Sequence, residues 1–503
     1  MAPQFYHLPS SPSLQVLDRF SLLPESLAHD LEDPSSGLIP FWPLLTHVLS
    51  PLESDNDSDE VKPTTFAALT ALLDTISATL RGTSHPAGDY VLLREAITAH
   101  FGDEPHFFTD VWPRVVELAL EMPRLFPSGQ LSILGRATGS GAAGEKQDEQ
   151  EVLLSRRQAA CLVVHMFLRT VAAPDWKEEG EGLHDFGVWY GSEGQRQVSA
   201  ARAYLGALMR YLGEVVCRDA EEGDDDGWMV RYTLRTVEES EFQGVLGGRG
   251  CRLVEVEVQV IERYDLSPAS LGVPGGAAVV SANRYIGFGQ SATQEEVYVG
   301  SSPEACPAVL ITPPLKDDQV LVVRGAQAMV NIAGQRREIR VDEMPPPDGG
   351  VKAWQERTML FMDALELDMI EAGTSLPDLR PENMNREIRK AYTAFSSGGF
   401  GEVRTGPWGC GAFGGDPGVK MFLLWIAASL AATKLVIVCD ASDQKFAGDF
   451  SSLVSKAKGA ISDTVGLRKL LDQAPKALAR GQILSWILSN WNTAKILCRQ
   501  GGL

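Results

Sequence analysis

Two adjacent glutamates, Glu295 and Glu296, follow a glycine turn in the run Asn283-Arg284-Tyr285-Ile286-Gly287-Phe288-Gly289-Gln290-Ser291-Ala292-Thr293-Gln294-Glu295-Glu296. A carboxyl group held protonated can give its proton to a glycosidic oxygen, and the carboxylate left behind can activate water. Glycine turns let successive backbone N–H groups converge on a phosphate. A second cluster, Gly406-Pro407-Trp408-Gly409-Cys410-Gly411-Ala412-Phe413-Gly414-Gly415-Asp416-Pro417, precedes an apolar helix, with Asp416 and Pro417 as an N-cap and N1 pair. Asp416 partly offsets the helix dipole, so an anion is expected against the loop N–H groups rather than at the helix tip. Each feature alone has an ordinary reading: a tight turn, a solvated acidic pair, a capped helix entry. Together on one sheet edge they outline a site for a nucleotide diphosphate.

Composition narrows the chemistry further. All eight histidines lie at or before His184, which excludes a Ser-His-Asp or Cys-His site built within the C-terminal half alone. That half must work with carboxylates, backbone groups and glycine loops. The seven cysteines, at 161, 217, 251, 306, 410, 439 and 498, form no CxxC pair and are odd in number. They are expected to be reduced thiols, with no zinc site. A net charge of −21 argues against non-specific DNA binding. The most apolar stretch, residues 422–438, is interrupted by Ser429 and Lys434 and is short for a membrane span; it reads as a buried helix followed by a strand. The start, Met1-Ala2-Pro3-Gln4, has no basic and apolar regions of a secretory signal, and none is expected.

The chain has 503 residues, too many for one compact core, and hydrophobic residues make up 44% of it against 22% charged. Residues 1–35 read as a partly ordered lead-in and about 40–126 as helical, interrupted by an acidic loop at 53–60. Residues 138–151 read as a solvated linker, 155–171 and 197–216 as amphipathic helices, and 221–226 as another acidic loop. The period then changes. Residues 254–260 alternate as a strand with one wet face, and 277–280, 308–311 and 320–323 are short apolar runs expected to be buried strands. Helices are expected near 358–370, 383–395, 447–457 and 476–490, with a last strand at 435–438. This order predicts an α/β fold, with residues 1–225 as a helical accessory region and 226–503 as the catalytic domain. The first glycine turn then lies at a strand's C-terminal edge, where open sheets hold ligands.

The run 283–296, joined to Trp408-Gly409-Cys410-Gly411-Ala412-Phe413-Gly414-Gly415-Asp416, resembles the poly(ADP-ribose) glycohydrolase family. The likeness extends to Met362-Asp363-Ala364-Leu365 and to the stretch from Met384 to Phe395, more weakly to the helix near 155–170, and covers roughly residues 150–460. It implies a macrodomain-like mixed sheet sandwiched between helices, an N-terminal helical accessory domain, and ADP-ribose bound at the sheet edge. It also implies hydrolysis of ribose–ribose O-glycosidic bonds in poly(ADP-ribose), with no metal or organic cofactor. The implied partners are poly(ADP-ribose), ADP-ribose and ADP-ribosylated proteins, with no direct DNA or membrane binding, for a monomer in the nucleus or cytoplasm serving the DNA damage response.

Residue by residue, the resemblance implies Glu296 as acid/base and Glu295 as the group that positions ribose hydroxyls. Asn283 is implied at the terminal ribose, and Gly287, Gly289 and Gly411-Ala412-Phe413 at the diphosphate, with Phe288 and Gln294 also at the substrate. Geometry adds a constraint. Adjacent residues point to opposite faces of a strand or diverge by about 100° on a helix, so they cannot face each other across a sugar. One glutamate must therefore make both proton transfers, and the pKa of Glu296 is expected to be raised by partial burial and the adjoining charge. The chain departs from the family pattern in several places. The triple glycine reads Gly287-Phe288-Gly289, and only Gln290 to Thr293 separate it from Gln294. Val280-Ser281 replaces Asp-Phe, Pro407 replaces Asn, and Gln335, beside Arg336 and Arg337, takes the position of the aromatic that closes over the nucleotide. Retained glutamates with altered nucleotide contacts suggest retained chemistry with altered binding. The alternatives are a non-catalytic ADP-ribose-binding module, which does not need Glu296, and a hydrolase of another ADP-ribosyl linkage such as a protein-proximal ester.

Overall fold

The computed structural model describes residues 4–50, 64–82, 88–136, 149–177, 184–217, 227–248, 250–334, 336–369 and 376–493. The acidic loops expected at 53–60 and 221–226, and Gln335, lie outside these residues. The first 35 residues contain short elements, two strands and the helix Glu25–Leu31, where a loose lead-in was expected.

The N-terminal half is helical: α1 (Phe66–Arg81), α2 (Val91–Phe101), α3 (Trp112–Leu120), α4 (Arg156–Phe167) and α5 (Val198–Tyr211), the last continuing as a π-turn to Val216. Helix α4 starts with a capping box, in which Ser155 and Gln158 satisfy each other's backbone N–H groups. Between α3 and α4 runs β1 (Glu149–Ser155), so part of the expected linker at 138–151 is a strand, and 138–148 lie outside the described residues.

Eight strands form one mixed sheet. After β1 come β2 (Met229–Thr236), β3 (Val256–Ile261), β4 (Ala277–Ala282), β5 (Gln319–Arg324), β6 (Thr358–Asp363), β7 (Glu402–Thr405) and β8 (Lys434–Asp440). Their spatial order is β1-β2-β5-β6-β4-β7-β8-β3. The block β6-β4-β7-β8-β3 is parallel, while β1, β2 and β5 pair antiparallel along the other side. The sheet therefore takes its edge strand β1 from before the expected divide at 225.

Among the helices of the second half are α6 (Gln294–Gly300), α7 (Pro381–Phe395), α8 (Pro417–Leu430), α9 (Gln444–Ala457), α10 (Thr464–Asp472) and α11 (Ile483–Ser489). They cover both faces of the sheet. In β6, Met359 and Phe361 join the core shared with α1–α5, whereas Leu360 and Met362 join the core under α7–α11. The same alternation divides Val280 from Val279 and Leu321 from Val322.

Double coverage explains two corrections. Residues 358–363 were expected to open a helix, yet they form the central strand β6, buried at every position, and a strand buried on both faces loses its alternating pattern. Residues 308–311 were expected to be a strand and form one helical turn instead; four buried apolar residues carry no period that separates the two. Helix α10 was not foreseen, and α11 occupies only part of 476–490.

A buried ion pair fastens the helical half to the sheet half. The Arg156 Nε of α4 donates to Glu304 at 2.8 Å, and its guanidinium lies 3.9 Å from the Trp228 ring. Glu304 is fully buried and also accepts from the Gln327 N–H and the Tyr211 hydroxyl. Removing one partner strands the other as a buried charge, which costs about 3–5 kcal/mol. Arg156→Met should therefore lower the thermal unfolding midpoint by several degrees, with a similar cost in urea denaturation; an unchanged midpoint would contradict this account.

Candidate active site

The five parallel strands end on one side of the sheet, around a cavity of about 760 Å3. Residues at or just past each strand's end line it: Tyr264 after β3, Asn283 after β4, Ala364 after β6, Gly406 after β7 and Asp440 at the end of β8. Backbone groups at such ends have no further ladder partners and are free to meet side chains or ligands.

Helix α6 turns back onto the strand that launches it. Gln294 accepts from the Ser281 N–H at 2.9 Å and donates to the Val279 carbonyl at 3.3 Å. Glu295 accepts from the Asn283 N–H at 2.8 Å and from the Gly287 N–H at 3.0 Å, one on each carboxyl oxygen. It lines the cavity although only 7% of its surface is exposed. Burial pushes its carboxyl up to about 8, against the pull of the two N–H donors; the charge of Glu296 adds to the rise and Lys177 opposes it.

Glu296 has a different setting. Thr293 is the N-cap of α6; its hydroxyl accepts from the Glu296 N–H, and the Glu296 carboxylate accepts from the Thr293 N–H at 3.0 Å. The N–H groups of Ser291 and Ala292 also turn to this carboxylate. To present its N–H there, Ala292 adopts a φ of 55°, in the left-handed region that costs a residue with a Cβ. Burial raises the Glu296 pKa, opposed by these donors, while the effect of like charge falls on Glu295. Glu296 is half-buried and lies behind the wall formed by Thr293, Gln294 and Glu295. It does not open on the cavity in this conformation.

The turn ahead of α6 is held from the helical half. Phe288 is 2% exposed, with its ring centroid 5.1 Å from Trp189 and 5.6 Å from Phe186. Trp189 Nε1 donates to the Gly289 carbonyl at 2.9 Å, and Gln290 donates to the Val188 carbonyl at 2.9 Å. Gly287, Phe288 and Gly289, expected at the substrate, are not among the residues that line the cavity. The Gly287 N–H is committed to Glu295, and the shortened turn lets Phe288 point into the aromatic cluster. Gly289 instead leaves room for the Glu296 carboxylate, which a Cβ there would strike.

The second glycine cluster forms the opposite wall. Trp408 is buried, donates to the Met362 carbonyl at 2.9 Å and lies 5.0 Å from Lys420, which pairs with Glu387. Glu387 in turn accepts from the Leu365 N–H, so α7, α8 and β6 all brace the loop. Gly409 turns with a φ of 72°, and a Cβ there would come within 2.6 Å of Ala364. Asp416 caps α8 through the Val419 N–H at 2.9 Å and accepts from the Gly481 N–H at 2.6 Å. Gly411, Ala412 and Phe413 all line the cavity, and among the described residues nothing accepts a hydrogen bond from their three N–H groups.

Of the residues singled out from sequence, the cavity thus brings together Asn283, Gln294, Glu295, Gly411, Ala412 and Phe413. The sequence reading passed over Tyr264, Asp440, Asp443 and Phe446. Their signal was position, because each follows the C-terminal end of a strand that the alternating or apolar pattern had located. Arg404 and Arg480 were also missed, and Arg480 has no local signal at all. Among the described residues, no group of three His, Cys, Asp or Glu side chains is placed to hold a metal, and no helix is long and apolar enough to cross a membrane.

Comparison with known proteins gives two family matches. The model described as "Poly (ADP-ribose) glycohydrolase (PARG), Macro domain fold" matches residues 269–447, and "Poly (ADP-ribose) glycohydrolase (PARG), helical domain" matches residues 100–228. Together these stretches make up more than half of the chain. The chain is 27% identical over 190 residues to poly(ADP-ribose) glycohydrolase 2 of Caenorhabditis elegans, covering 35% of this chain and 38% of that protein. It is 27% identical over 192 residues to poly(ADP-ribose) glycohydrolase 1 of the same organism, covering 35% of this chain and 24% of that protein. It spans well under half the length of these curated relatives. A poly(ADP-ribose) glycohydrolase mutant of Deinococcus radiodurans, solved in complex with ADP-ribose, aligns over 45% of this chain and 94% of that one. The identity is 17% and the TM-score 0.28, too low to inform the fold.

The raised carboxyl of Glu295 has a measurable consequence. Its folded pKa of about 8 lies above the ordinary glutamate value of about 4.3, so the folded chain binds this proton more tightly than the unfolded chain. The resulting stability is complete below about pH 4 and is lost as pH rises towards about 8. The thermal midpoint of the wild type should therefore fall relative to that of Glu295→Gln between about pH 5 and pH 8. A difference that stays flat across that window would show that Glu295 titrates normally.

Proposed function

The chain belongs to the poly(ADP-ribose) glycohydrolase family, and on that premise we propose that it hydrolyses the ribose–ribose O-glycosidic bonds of poly(ADP-ribose), releasing ADP-ribose without metal or organic cofactor. The observation that carries this reading is a buried carboxyl, Glu295, held by two backbone amides and opening on a cavity whose far wall offers three unengaged N–H groups. One side suits a ribose and the other a diphosphate. Asn283 also lines the cavity; its Oδ1 accepts from the Tyr285 N–H, which leaves its side-chain N–H groups for a ribose hydroxyl.

The reaction needs a proton on the departing 2′-oxygen of the next unit as the C1″–O bond breaks, and then a water at C1″ that gives up its proton. Glu295, fixed at both oxygens, suits the holding of ribose hydroxyls. Proton transfer belongs to Glu296, which reaches the sugar by leaving its cap. It gives up a proton in the first step and takes one from water in the second, ending in its starting state. One observation favours the opposite division: Glu295 already faces the cavity and is held protonated near neutrality. The same reading extends to ADP-ribosylated proteins as carriers of the substrate and to a nuclear or cytoplasmic setting.

Labelled polymer incubated with the wild type, Glu296→Gln and Glu295→Gln tests both points. Glu296→Gln should slow release of ADP-ribose by roughly 100-fold or more, the usual scale for losing a general acid. Undiminished cleavage by Glu296→Gln, with loss in Glu295→Gln, would transfer the acid role to Glu295. Tight ADP-ribose binding by a wild type that never cleaves the polymer would leave a binding module instead. Chelators should not change the rate, and activity restored by added metal would count against a purely carboxylate mechanism.

A further inference from the structure

Two cations line the cavity, Arg404 and Arg480, facing the carboxylates Asp265, Glu295, Asp440 and Asp443. Arg404 is neutralised where it stands, pairing with Glu402 at 2.7 Å and bonding the Gln259 side chain at 2.6 Å. Arg480 is in a different position. Among the described residues it makes no salt bridge, and its side chain is exposed at the cavity mouth. Its Nε donates to the Gly415 carbonyl at 3.1 Å and its Nη2 to the Cys410 carbonyl. The guanidinium is thereby fixed on the glycine loop by two of its five donors, and the others remain for a ligand.

The residues that follow Cys410 in the same loop, Gly411, Ala412 and Phe413, also line the cavity, and a Cβ on Gly411 would meet nothing within 4 Å. A planar guanidinium with donors to spare suits phosphate oxygens. The chain as a whole is strongly acidic, so a polyanionic substrate needs a local excess of positive charge to enter. The turn 287–289 is not among the residues that line the cavity.

We propose that Arg480 is a substrate-binding residue that holds the diphosphate of ADP-ribose at the 411–413 loop. The inference rests on the glycohydrolase reading of the cavity. Arg480 lies beyond residue 447, where the family match ends. Its neighbour Gly481 ties the same segment to Asp416, so the cation and the loop it serves move as one.

The test uses the full chain as wild type, Arg480→Gln and Arg480→Lys, with ADP-ribose titrated by calorimetry at low and high salt and adenosine by ligand-observed NMR. Arg480→Gln should weaken ADP-ribose binding by roughly 10- to 100-fold and flatten its salt dependence, while adenosine binding stays within about twofold. Arg480→Lys should fall between, since it keeps the charge and loses the fork. Arg480→Gln binding ADP-ribose as tightly as the wild type would overturn the role of Arg480 alone. An equal loss for adenosine would also overturn it, by reducing Arg480 to a brace for the loop. A wild type that binds neither ligand would instead remove the reading of the cavity on which the inference rests.

Discussion

Helix α6 is bonded back onto the end of β4, and the rest of the site depends on that return. A parallel strand that stops leaves backbone donors and acceptors without partners, and each buried one left unmet costs about 1–3 kcal/mol. Gln294 meets two of them at Ser281 and Val279, and Glu295 meets two more at Asn283 and Gly287. The same side chains that define the chemistry are therefore structural closures of the sheet. Gln294 has both ends of its amide committed to β4, and its presence in the cavity wall follows from that duty.

The next residue faces competing demands. Thr293 and Glu296 have the spacing of a capping box, and a helix of seven residues depends heavily on its cap. Freeing the Glu296 carboxylate gives up a cap worth about 1 kcal/mol. A ligand bound at micromolar affinity brings about 8 kcal/mol. The cap, for which Gly289 leaves the room, can therefore hold Glu296 in the empty site and still yield to a substrate.

Much of this was legible in the residues. The alternation at 254–260 and the apolar run at 435–438 located β3 and β8, and the first glycine cluster fell at a strand end as expected, whereas β7, which launches the second, was not foreseen. The capping-box spacing of Thr293 and Glu296 stood in the sequence and was passed over, and its claim on Glu296 is visible only in the fold. What escaped were features set at a distance. Strand β6 is buried on both faces and so has no period. Phe288 was expected at the substrate, because the sequence does not say that Phe186 and Trp189 lie beside it. Arg480 is brought to the glycine loop by helix packing across more than sixty residues of chain, a contact that no local pattern announces.

The burial of Phe288 between Phe186 and Trp189 has a consequence for how the two halves of the molecule can vary. The turn that precedes the glutamates packs its Phe288 on rings of the helical half, and its Gly289 carbonyl accepts from an indole there. A change at residue 186 or 189 is thus a change at the candidate site, made from outside it. The halves can be told apart by their secondary structure, yet at this turn neither can be altered without the other.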